Sequence, residues 1–113
     1  MDDTYRRYVR EILAVWYHHK GAEMPKYVIE RELPGAGSLS ADELHDISQK
    51  SNQVLSNLGP EIRWLHSYVA ADKIYCVYVA PDEDLIYEHA RCGGFPANTV
   101  TMVSAVIDPS SGE

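Results

Sequence analysis

The chain has 113 residues with a formal charge of −7, which fits one domain with a small core and makes self-association a natural way to bury more surface. The acid excess argues against a nucleic-acid partner, because phosphate binding needs clustered Lys and Arg, and it suits cations or small ligands. No apolar run approaches membrane-spanning length and no stretch reads as a cleavable signal peptide, so the expected location is the cytoplasm.

The first segment, residues 1–23, has helical periodicity. Tyr5, Tyr8, Val9, Ile12, Leu13 and Trp16 fall on one face, Arg6, Arg7, Arg10 and Glu11 fall largely off it, and Gly21 would stop the helix. It reads either as a helical extension that docks on the domain or a second subunit, or as a translated leader ahead of Met24-Pro25. Residues 26–35 read as a strand ending at Pro34-Gly35. Ser40 followed by Glu43 is a capping box, and Leu44, Ile47, Ser51, Val54, Leu55 and Leu58 then recur at helical spacing until Gly59-Pro60. Residues 61–70 and 73–80 read as strands joined by a turn at Ala71-Asp72. Asp82, Glu83 and Asp84 load acid onto the start of a second helix, which suits the positive end of its dipole, and Gly93-Gly94 ends it. Residues 98–108 read as a last strand, and 110–113 as a polar tail.

From Met24 the order is β-α-β-β-α-β, the ferredoxin-like α+β arrangement. It predicts a domain over 24–109, an antiparallel sheet, and both helices on one face of it. The other face is then left for solvent, a ligand or a partner.

Pairing Val69 with Ile74 sorts the hairpin by alternation. Leu65, Ser67, Val69, Ile74, Cys76 and Tyr78 are expected under the helices. Trp64, His66, Tyr68, Tyr75, Val77 and Val79 are expected on the open face. On the first strand Tyr27 and Ile29 take one side, and Val28, Glu30 and Glu32 the other. An exposed face this aromatic needs cover, so it predicts a homodimer or a pocket there.

His66, with Glu30 and Glu32 across the sheet, reads as an imidazole-carboxylate site for a divalent metal ion, or more plainly as a hydrogen-bonded interface histidine. His89 borders the apolar stripe of the second helix. It reads as a packed histidine, or with Cys92 three residues on as half of a soft metal site. Cys76 reads as a core residue, both cysteines as free thiols, and His18-His19 as a weak chelator, since neighbours on a helix diverge. Gly93-Gly94 follows a helix, so it is a helix stop and not a phosphate loop.

The stretches "MPKYVIERELPG" and "WLHSYVAADKIYCVYVAPDEDLIYEHARCGGFP", with the terminal valine-rich strand, resemble small bacterial proteins grouped as a domain of unknown function, some described as nickel-binding. The resemblance spans Met24 to about Pro109. Ser67-Tyr68, Asp72-Lys73, Tyr75-Cys76, Ala80-Pro81, His89-Ala90 and Gly94-Phe95-Pro96 carry it. It implies a ferredoxin-like dimer of the α/β-barrel type, Ni²⁺ near the dimer surface, and a role in nickel sequestration or homeostasis. These motif residues define the family and are not carried over as ligands. The metal expectation rests on His66, His89, Glu30 and Glu32, copies of which a dimer would bring together. The alternatives are a small-molecule enzyme or carrier built on the open-face cavity, and an interaction module with no chemistry of its own.

Overall fold

The computed structural model describes residues 3–20 and 24–113, and only the backbone of residues 3, 6 and 18–20. The expected stop at Gly21 lies outside the described residues, and the chelating reading of His18-His19 rests on side chains outside the description. The elements are α1 (Asp3–Lys20), β1 (Lys26–Glu32), α2 (Ala41–Leu58), β2 (Arg63–Val69), β3 (Lys73–Val79), α3 (Glu83–Gly93) and β4 (Thr99–Met102). Four strands pair antiparallel in the order β2-β3-β1-β4, as the ferredoxin-like reading requires.

Local chemistry sets the helix ends. Ser40 Oγ accepts from the Glu43 N–H, and Glu43 Oε1 accepts from the Ser40 N–H, both at 3.1 Å. This is the expected capping box. Asp82 caps α3 by accepting from the Leu85 N–H at 3.0 Å. The two glycines at its other end do different jobs. Gly94 takes a left-handed φ of 68°, while a side chain on Gly93 would run into the Phe95 ring.

The core lies between the sheet and α2 and α3. Tyr27, Ile29, Ile74, Cys76 and Tyr78 supply the sheet side, and Leu85, Ile86 and the half-buried Leu55 and Leu58 the helix side. α2 rides high: Leu44, Ile47, Val54 and Leu55 are all only half-buried, and Ser51 is its buried residue. A gap therefore remains between its first half and the sheet.

Three sequence expectations need correction. Trp64 is not on the open face. The pairing shifts between Trp64↔Tyr78 and His66↔Val77, which leaves Leu65 as an extra residue. Such a bulge breaks the two-residue period. It sends Trp64 to the helix side, stacked on Tyr78 at 6.4 Å, with its indole N–H donating to Ser67 Oγ at 2.9 Å. Leu65, expected in the core, is instead exposed. The last strand is also shorter than 98–108. β4 pairs with β1, which begins at Lys26, and the ladder ends where the Val103 N–H meets the Lys26 carbonyl. Val106 and Ile107 are exposed. Finally, α1 does not seat its apolar stripe. Tyr5, Tyr8, Ile12 and Trp16 are half exposed or more, whereas Arg10, expected off the packed face, is buried and paired with Glu88 of α3 at 2.9 Å.

Candidate functional site

Two regions carry chemistry, one on each face of the sheet. On the open face, the ladder sets Thr99, Glu30, Tyr75 and Tyr68 in one row and Thr101, Val28, Val77 and His66 in the next. His66 is exposed, with its ring edge-on to Tyr68 at 5.0 Å. Glu30 accepts from Thr99 Oγ1 at 2.8 Å and from Lys73 Nζ at 3.4 Å. The Thr99 hydrogen bond, with that of Lys73 next, holds its carboxyl below the usual range. Glu32 lies opposite Lys73 at the strand end. The carboxylates thus share a face with His66 but stand across β3 from it, with the Lys73 ammonium beside Glu30.

His89 is elsewhere. It is 1% exposed on the other side of the sheet, beneath α2. Its Nε2 is 3.1 Å from Ser51 Oγ, and its ring packs on Tyr78 and Phe95 at 5.0 and 5.6 Å. Burial, with Arg31 adding its charge, lowers its pKa from 6.5 to about 4, so it is neutral at pH 7. Cys92 is exposed while His89 is sealed, so the two do not form a donor pair. Among the described residues no three His, Cys, Asp or Glu side chains come together as a metal site.

Around His89 lies the second region. The gap under α2 is a cavity of about 240 Å³. Leu44, Ile47 and Ser48 of α2 roof it, Trp64, Val69, Ile74, Cys76 and Tyr78 floor it, and Phe95 and Pro96 close one end. Arg31 lines it and is only 5% exposed. Its Nη1 donates to the Pro96 carbonyl at 2.6 Å and its Nε to Cys76 Sγ at 3.4 Å. Tyr78 and Phe95 rings lie 6.0 and 5.5 Å from the guanidinium carbon. Among the described residues no carboxylate pairs with this charge, and its Nη2 is buried without a hydrogen-bond partner. Alternation from Tyr27 and Ile29 points Arg31 under the helices, although its charge between Glu30 and Glu32 resembles a solvated run.

The family described as "Nickel responsive protein SCO4226-like" matches residues 27–103. The crystal structure of SCO4226 from Streptomyces coelicolor A3(2) is similar in fold, with a TM-score of 0.62 at 16% identity, covering 73% of this chain and 99% of that one. No curated protein matches. No helix among the described residues is long and apolar enough to cross a membrane. The family match takes in β1 through β4, including both faces just described, and the chain therefore belongs to the nickel responsive protein SCO4226-like family.

Proposed function

We propose that this protein binds nickel and serves in its sequestration or homeostasis, as a homodimer joined through the open face of the sheet. The observation that carries this is membership of a nickel-responsive family. The surface chemistry supports it. His66 stands exposed beside Tyr68, which is 63% exposed, on a face that also bears Glu30 and Glu32. Imidazole suits nickel, and carboxylates and water can complete an octahedral shell. A shell left incomplete by one chain is completed by donors from a second copy, and the same contact covers the aromatic face. His89 has no place in this site, because it is sealed under α2 next to a guanidinium. The reading assigns no catalytic residue.

The test is calorimetric titration of tag-free protein with Ni²⁺ at neutral pH, with sedimentation run in parallel. Wild type is expected to bind and to sediment as a dimer. His66→Ala is expected to lose about tenfold or more in affinity, since losing even an outer-shell partner of a ligand costs that much. Binding weakens in acid, since a protonated imidazole does not ligate. Absence of nickel binding by wild type would overturn the reading in favour of an interaction module.

A further inference from the structure

The cavity under α2 is built for something other than a metal. A buried charge is costly unless it is paired. Among the described residues Arg31 is answered by a carbonyl, a sulfur, the nearby Tyr78 hydroxyl and two ring faces, none of them an anion at neutral pH, and its Nη2 has no hydrogen-bond partner. None of the residues lining the cavity is acidic. A second cation stands at its lip, where Lys50 Nζ is 5.7 Å from the Phe95 ring centre. This positive corner belongs to a chain of net charge −7. The remaining wall is mostly apolar, interrupted by Ser48, Ser51 and Ser67, and its roof residues Leu44 and Ile47 are incompletely buried as they stand. At 240 Å³ the space equals about eight waters at roughly 30 Å³ each.

We propose that this cavity binds a small amphipathic carboxylate, its anionic end on Arg31 and its apolar body between Ile47 of α2 and Trp64 and Val69 of the sheet. A guanidinium matches a carboxylate in geometry and charge. The occupant supplies the missing counter-charge and fills the gap that keeps α2 off the sheet. Pockets of this kind pair an apolar lining with a few placed polar groups. The site lies on the opposite face of the sheet from His66, so it stands or falls independently of nickel.

The experiment uses full-length protein carrying Trp16→Phe, which leaves Trp64 as the reporting indole. Benzoate and hexanoate are titrated against benzamide, hexanamide and inorganic phosphate. The carboxylates are expected to shift Trp64 emission saturably and to bind about tenfold or more tighter than the amides, the scale of a charged hydrogen bond. Phosphate, lacking an apolar body, is expected to bind more weakly than benzoate. Arg31→Met should erase the preference for acid over amide. Ser48→Phe, which fills the cavity from the roof and keeps Arg31, should abolish carboxylate binding in a chain shown folded by circular dichroism. Three results would each overturn the proposal: no saturable response to either carboxylate, equal affinity for acids and amides, or undiminished binding in Ser48→Phe.

Discussion

Glu30 and Arg31 are neighbours on β1 and both are charged, yet they live in different solvents. Glu30 faces water, with Thr99 and Lys73 as partners that add little to stability because water can replace them. Arg31 faces the core, where each hydrogen bond matters because water cannot replace it. One step along the strand thus separates a place where ions can be exchanged from one where a charge must be matched. On the proposal above, the open face holds a weak, reversible cation site. The covered face suits a selective pocket.

The largest expected effect tests whether the two faces differ as much in solution. Ile29 is fully buried under the helices, while Val28 beside it is half-buried on the open face. Ile29→Ala should cost roughly 3 kcal/mol, a transfer term plus a cavity term. Val28→Ala should cost about 1 kcal/mol or less. Urea unfolding midpoints give both numbers. A Val28→Ala cost that rises with protein concentration would sharpen the comparison, because it means that a second copy covers the open face.

A smaller effect, confined to acid, comes from His89. Its folded pKa of about 4 lies below the ordinary 6.5. The unfolded chain therefore binds a proton that the folded chain refuses between those two values. Stability from this group is full above pH 6.5 and is lost as pH falls towards 4, a change on the order of 2 to 3 kcal/mol. His89→Gln should flatten that slope relative to wild type. An unchanged slope would mean that the ring is not sealed under α2 and that the covered face is wetter than its packing implies.

The sequence made the architecture legible because the pleat and the helix repeat on fixed periods. The Ser40/Glu43 box and the acidic start of α3 marked helix ends to within a residue. Trp64 escaped because one bulged residue, Leu65, inverts the alternation before it, and nothing in "RWLHS" announces a bulge. Arg31 escaped for another reason. Its position was legible from Tyr27 and Ile29, but a charged residue between Glu30 and Glu32 reads as a solvated run until burial is known. What α1 packs against was not legible, because amphipathicity gives a face and not a partner. Arg10 was fixed by Glu88, 78 positions away in sequence. Of the candidate metal residues, His66, Glu30 and Glu32 were legible as one face by strand alternation, whereas His89 lies on the other side of the sheet, which helical spacing alone does not reveal.

The smallest effect on stability is the most informative about the open face. Lys73 and Glu30 are paired at 3.4 Å with both side chains well exposed. Glu30 raises the pKa of Lys73, first through the hydrogen bond and then through its charge, so the ammonium persists across the neutral range. Lys73→Met should leave the thermal midpoint of the protein unchanged, because an exposed ion pair gains little over its two hydrated ions. Its effect on nickel is expected to be larger. The ammonium sits between β1 and β2 on the strand that parts the carboxylates from His66, and it repels any cation approaching Glu30 or Glu32. Removing it frees Glu30 and lowers that repulsion, so calorimetry should show Ni²⁺ binding tightened a few-fold. The same variant with Glu30→Gln should lose the gain. If Lys73→Met leaves nickel affinity where it was, the carboxylates of β1 are not ligands, and His66 binds with other donors from the partner copy.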